Sequence, residues 1–323
     1  MARSSAATRR GWCWSCPRKT AAACCQAPVR MRTWRANACR TAYSSAVNRS
    51  RCQRRRAMAD GAHAARWLRH FGPSSAHAGA NLVCLPHAGA GAFQFASWAR
   101  PLAGLAHVVA VQLPGREDRV GEPCMTGSAA LVEQVAAALA ALPPRPLVLY
   151  GHSMGASLAH ALTQRLRRDG VPVRALLVSG QVPPHATRSR PPLDTPDALL
   201  AWLRALDGMP AAVLANDELM ALWLPTAWAD MQLLDDCFAV ANAAAPVRID
   251  VPLTALAGSG DWLAPPERVA RWRDCTSAAF HGATLEGGHF FPQNQPAAML
   301  AEVRAALLRA LAGITQLADN YYS

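Results

Sequence analysis

Five residues, Gly151-His152-Ser153-Met154-Gly155, constrain this chain most. They follow the apolar run Leu147–Tyr150 directly and lead straight into helix-like sequence over Ser153–Arg168. A serine at a strand-to-helix corner has to ride on a strained turn, and a glycine on either side permits that turn. The turn lifts the hydroxyl off the strand end. The helix start behind it aims N–H groups at negative charge that develops there. G-x-S-x-G alone arises often by chance. With a strand before it and a helix after it, the motif points to Ser153 as a nucleophile. The plain alternative is a tight turn with a capping serine.

The rest of the body supplies the scaffold such a corner needs. Short apolar runs recur at Leu82–Leu85, His107–Leu113, Leu147–Tyr150, Ala175–Ser179, Leu253–Ala257 and Ala278–Leu285. They are too short for helices and show no alternation, which is how strands buried on both faces of a parallel sheet read. Helical periodicity fills the gaps, as in Ser128–Leu142 and Pro296–Leu311. Alternating strands and helices predict an α/β fold with a mostly parallel central sheet flanked by helices. One connection is too long for a simple crossover. Between Ser179 and Leu253 lie 73 residues, with helical periodicity over Asp197–Leu206, Ala211–Leu224 and Thr226–Ala241. We read residues 181–250 as a helical lid insert, the alternative being an immobile cap.

A serine hydroxyl needs a base. On this kind of elbow the triad partners follow in the order acid, then histidine. His289, in Glu286-Gly287-Gly288-His289-Phe290-Phe291, follows the last apolar run and is the expected base. His152 is too near Ser153 along the chain to turn back on it, and His281 sits inside a strand-like run. Asp261 closes Gly258-Ser259-Gly260-Asp261 after the first strand beyond the insert, the place for the acid that orients the imidazole. Asp235 and Asp236 fall in the insert and read as solvent-facing or helix-capping. An oxyanion hole needs two backbone N–H donors. Met154, next after the nucleophile, is one. Ala88, in the early loop Pro86-His87-Ala88-Gly89-Ala90-Gly91-Ala92, is the other candidate.

Charge divides the chain. The net charge is +12 over 323 residues, yet residues 1–57 hold thirteen Arg, one Lys and no acidic residue, so the remainder is slightly acidic. Six of the ten cysteines also fall in that leader. The basic balance therefore gives no ground for nucleic-acid binding by the body. The leader has no apolar stretch of secretory type, though its Arg- and Ser-rich, acid-free composition suits a transit peptide. Cys13-Trp14-Ser15-Cys16 lacks the second pair and the histidine that a zinc site requires. We read 1–57 as a disordered leader or as residues not natively translated, with Met58 as the natural start and 58–323 as one domain. No apolar run reaches the length of a membrane span, so a cytoplasmic protein with no membrane partner is expected. The one lysine, Lys19, excludes a G-x-x-x-x-G-K-[ST] phosphate loop.

Taken together, the residues resemble the type II thioesterases that accompany nonribosomal peptide and polyketide synthases. Leu85-Pro86-His87-Ala88-Gly89 looks like the first loop of that family, and Gln112-Leu113-Pro114-Gly115-Arg116-Glu117-Asp118-Arg119 like its Q-x-P-G-R-x-x-R segment. Gly151–Gly155 reads GHSMG, Met209–Asp230 looks like its lid helices, and Gly287–Phe291 like its histidine loop. Ala90 departs from the family's second glycine in the first loop. The resemblance implies an α/β-hydrolase fold with a helical lid. It implies a monomeric enzyme without metal or bound cofactor, hydrolysing acyl or aminoacyl thioesters from the phosphopantetheine arm of carrier protein domains. The apolar helical faces with Leu219, Leu222, Trp223 and Trp228 would line the channel that admits the arm, the alternative being that they pack the cap on the sheet.

Two other classes compete. A carboxylester hydrolase could use the same fold and triad, although lipase-like esterases often carry HGGG where this chain has HAGAG. A non-enzyme with a basic, nucleic-acid- or membrane-binding leader is the other, and the intact triad order argues against it.

Overall fold

The structure is a computed structural model that describes residues 60–72, 78–187, 193, 195–206, 215–242 and 248–319, with side chains as far as residue 312. The leader, its CxxC and the Met58 boundary lie outside the described residues. Seven strands form one sheet: β1 (Leu68–Phe71), β2 (Ala80–Leu85), β3 (Ala106–Val111), β4 (Leu147–His152), β5 (Val173–Ser179), β6 (Leu253–Gly258) and β7 (Phe280–Leu285). Their spatial order is β1-β3-β2-β4-β5-β6-β7, and only β1 runs antiparallel to its neighbour. Each of the six apolar runs holds a strand; β2 to β6 are buried on both sheet faces, whereas β7, at the sheet edge, is half exposed. Val83, Leu85, Val111 and Leu149 face one apolar cluster, and Leu82, Cys84, Val108 and Tyr150 face another.

Helices α1 (Ser128–Leu139) and α2 (Met154–Arg168) bring Leu131, Val135, Leu158 and Leu162 to the first cluster. Between β5 and β6 lie α3 (Pro196–Ala205) and α4 (Asp217–Asn242). α5 (Pro296–Asp319) brings Met299 and Val303 to the second cluster. Thr195 caps α3, its Oγ1 accepting the Ala198 N–H at 3.1 Å, with Pro196 in the first turn where the missing N–H is harmless. Asp236 caps α1 from a distance, its Oδ2 accepting the Ser128 N–H at 2.6 Å and the Ser128 hydroxyl at 2.7 Å.

The insert corrects one sequence expectation. The two helices read on either side of Pro225 are a single helix, α4, that continues through it. Proline deprives the carbonyl one turn earlier of its partner. Here that carbonyl belongs to Ala221, and Ala221 and Pro225 are both exposed, so water can take the place of the lost bond. Residues 207–214, which held the start of one expected helix, lie outside the described residues.

Strand order positions the site. The chain goes from β2 outward to β3, then returns to lay β4 against the other side of β2. In open α/β sheets the crevice beyond such a switch point is where ligands bind. Leu85 pairs with Gly151, so the loop leaving β2 and the turn leaving β4 start side by side.

Candidate active site

Ser153 sits on that turn with φ 53° and ψ −120°, a conformation a residue with a Cβ adopts only when its surroundings impose it. The surroundings leave no alternative path. A Cβ at Gly151 would lie 2.0 Å from the Gly155 carbonyl oxygen, and one at Gly155 would lie 2.2 Å from that of Leu85. The two glycines thus let β4 double back tightly into α2 while α2 presses against the end of β2.

The three residues expected to act together meet. The Ser153 hydroxyl donates to His289 Nε2 at 3.0 Å, and His289 Nδ1–H donates to Asp261 Oδ2 at 2.9 Å. All three are buried. Asp261 itself is anchored, its Oδ1 accepting the N–H groups of Leu263 and Ala264, each at 3.0 Å. The acid and histidine loops are tied together by Ser259 N–H to Leu285 O at 2.8 Å and Gly260 N–H to Gly287 O at 2.9 Å. With Nδ1 committed to the carboxylate, Nε2 is free to accept a proton, which is the arrangement of a general base with its orienting acid.

Aromatic rings pack round the imidazole. The centroid of His152 lies 5.2 Å from that of His289, and Phe290 stands edge-on at 5.3 Å. His152 does not reach Ser153. Its Nδ1 bonds with Ser179 Oγ at 2.9 Å, and burial, aided by neighbouring His289 and His87, holds its pKa well below the ordinary histidine range. His87 is pushed down to about 4, first by burial. Both rings are neutral at pH 7, so His289 can take up a proton without a fixed positive charge from either beside it. His281 is half exposed on β7, 3.5 Å from Glu302.

The first loop forms a tight turn. Ala90 N–H donates to His87 O at 3.1 Å, and Gly89 has φ 76°, the positive value that the third position of a type II turn requires. Ala90 is not in the left-handed region, so the departure from a second glycine costs no strain. The polar backbone groups around Ala88 are accounted for one by one. Ala88 O accepts His87 Nδ1–H at 3.0 Å, Gly89 N–H donates to Asp230 Oδ2 at 2.7 Å, and Gly89 O accepts Trp223 Nε1–H at 2.9 Å. Ala90 O accepts from Arg116 at 3.1 Å. Among the described residues the N–H of Ala88 has no protein partner, nor has that of Met154 at the start of α2. Two unused donors on adjacent loops are what an oxyanion needs.

The four insert residues expected along a channel take three settings. Leu219 and Leu222 are 48 % and 73 % exposed, facing solvent. Trp228 is half-buried against the main core. Trp223 covers the first loop, its ring so close that a Cβ on Gly89 would lie 2.2 Å from Cζ2.

Comparison with known proteins gives the family. Residues 80–307 match the thioesterase domain family. The chain belongs to that family. Thioesterase PikA5 of Streptomyces venezuelae is 36 % identical over 232 residues, 71 % of this chain and 81 % of that protein. A cadicidin biosynthesis thioesterase of Streptomyces griseus is 36 % identical over 245 residues, 76 % of this chain and 66 % of the relative. Among solved structures, the type II thioesterase BorB from the borrelidin biosynthetic cluster superposes with a TM-score of 0.67 at 33 % identity, covering 75 % of this chain and 97 % of its own. The thioesterase described here therefore has the α/β-hydrolase fold that the resemblance implied, and its likeness to type II thioesterases extends from motifs to structure.

Sequence reasoning missed one buried contact of this thioesterase beside the first loop. Asp230 and Arg116 form a buried, two-pronged ion pair, Nη1 to Oδ2 at 2.6 Å and Nη2 to Oδ1 at 2.7 Å. Arg116 was visible only as part of the P-G-R segment. A carboxylate on the buried side of a largely apolar helix was the available signal for Asp230. No group of three or more histidine, cysteine or acidic side chains is placed to hold a metal ion among the described residues. No helix among them is long and apolar enough to cross a membrane.

Proposed function

We propose that this thioesterase hydrolyses acyl or aminoacyl thioesters on the phosphopantetheine arm of carrier domains, clearing or releasing groups in nonribosomal peptide or polyketide synthesis. The observation that carries the chemistry is the His289 ring held between Ser153 Oγ and Asp261 Oδ2 at 3.0 and 2.9 Å. Ser153 Oγ attacks the thioester carbonyl as His289 Nε2 takes its proton. The carbonyl π electrons move to oxygen, and the oxyanion meets the N–H groups of Met154 and Ala88. Collapse breaks the C–S bond, the thiolate takes the proton from His289, and the acyl group stays on Ser153. Water then attacks that ester with His289 again as base, freeing the acid and restoring the serine. Asp261 keeps Nδ1–H directed and stabilises the imidazolium. The pantetheine arm arrives with the partner, so it is substrate and not a resident cofactor. Support for the carrier partner comes from the relatives, named for cadicidin and borrelidin biosynthesis.

The test is turnover of an acyl-loaded carrier domain beside a p-nitrophenyl ester of the same acyl group. A clear preference in kcat/KM for the carrier-bound thioester is expected. Efficient ester hydrolysis with no release from the carrier would replace this reading with that of a carboxylester hydrolase.

A further inference from the structure

We propose that Asp230, paired with Arg116, is a positioning residue through which insert helix α4 sets the oxyanion turn. The inference rests on the reading of Ser153 and Ala88 above and adds to it what fixes the Ala88 donor. The turn His87–Ala90 carries an N–H that must sit where a transient oxyanion forms, and misplacement by an ångström can remove about a hundredfold in rate. Apart from His87, whose Nδ1–H reaches Ala88 O, the turn has no side chains with which to hold itself. The insert and the P-G-R segment hold it instead. Asp230 takes the Gly89 N–H, Arg116 binds Ala90 O, and Trp223 binds Gly89 O, three bonds on the two residues that follow Ala88. The ion pair that organises them is buried, Arg116 at 7 % and Asp230 at 1 % side-chain exposure.

A pair so buried is a poor device for stability alone, because desolvation offsets most of its attraction and apolar replacements of both partners are often neutral. Its geometry serves a different end. Asp230 Oδ2 is shared between Arg116 and the Gly89 N–H, so the carboxylate cannot move without moving the turn. A displacement of α4 would therefore reach the oxyanion donor directly. The sequence distances, 141 residues from Gly89 and 114 from Arg116, show that the clamp exists only once the insert has docked.

The experiment separates positioning from mere packing by replacing the ion pair with apolar residues of similar size. The double variant Arg116→Met/Asp230→Leu and the single variant Trp223→Phe are assayed on propionyl-N-acetylcysteamine, a small soluble thioester, with kcat normalised to folded protein. The double variant should melt cooperatively yet lose roughly tenfold to a hundredfold in kcat with KM unchanged, because the oxyanion donor acts in the transition state and not on bound substrate. Trp223→Phe, which deletes one of the three bonds, should lose less, about threefold to tenfold, again in kcat alone. If the double variant does not fold, Trp223→Phe decides by itself. Full kcat in a folded variant, or a loss confined to KM, would overturn the inference. Ser153→Ala is run alongside: if it too retains turnover, the nucleophile reading has failed and not the clamp.

Discussion

The carbonyl oxygen of Leu85 lies so close to Gly155 that a single methyl group there would sit 2.2 Å from it. That approach seats the start of α2 against the end of β2, and it brings the Ser153 turn beside the loop that carries Ala88. The contact is backbone to backbone, so nothing flexible can give way.

Gly155→Ala should accordingly damage folding and not only activity. Overpacking typically costs about 1–3 kcal/mol and more when backbone must move. A large fall in Tm or loss of soluble protein is expected in thermal melts. A variant that melts like the parent would show that the elbow tolerates expansion.

His289→Ala and Asp261→Asn should leave Tm near that of the parent while reducing kcat, the first by a factor approaching 10⁶ and the second less. Steady-state assays on a soluble thioester check the order. Rescue of His289→Ala by His281 is not expected, since that side chain is half exposed and beside Glu302.

Acid should destabilise this fold before its carboxylates titrate. His87 and His160 are both pushed down to about 4 by burial, and His152 lower than its ordinary range for the same reason. Each is neutral in the folded protein while the unfolded chain takes up a proton near pH 6.5. Stability is therefore full above about pH 6.5 and falls as the pH drops from there toward 4, on the order of 3 kcal/mol for His160 alone. Melts between pH 7.5 and 4.5 should show a steadily falling Tm. A flat profile would mean these rings gain protons without opening the core.

Leu222→Ala should leave Tm unchanged, because the side chain is 73 % exposed. If the exposed face of α4 meets the carrier, kcat/KM on a loaded carrier should fall while turnover of a small thioester stays constant. Equal turnover on both substrates would retire Leu222 from any role in carrier recognition.

Most of the sheet was legible because strands buried on both faces are largely apolar, as β2 to β6 are; β7, at the edge, is half exposed and carries His281 and Thr284. β1 escaped. Leu68-Arg69-His70-Phe71 is an antiparallel edge strand whose apolar residues are interrupted by Arg69 and His70, and four residues carry too little pattern. Ser153, Asp261 and His289 were legible because each closes a strand in a loop rich in glycine. The continuity of α4 was not, since proline breaks a helix in most settings and its tolerance here depends on exposure. The Asp230–Arg116 pair was invisible because its meaning lies in contacts made across more than a hundred residues. Apolar periodicity around Leu219, Leu222, Trp223 and Trp228 marks a helix face but not what the face meets, so the cover of the first loop by Trp223 was not legible.

The most direct measurement is intact-protein mass spectrometry after rapid mixing with a carrier domain loaded with a radiolabelled acyl group, followed by peptide mapping. The account predicts free labelled acid, a transient acyl mass on the peptide containing Ser153, and neither product with Ser153→Ala. Release of the acid by Ser153→Ala at the parent rate, or an adduct mapped to another residue, would contradict it.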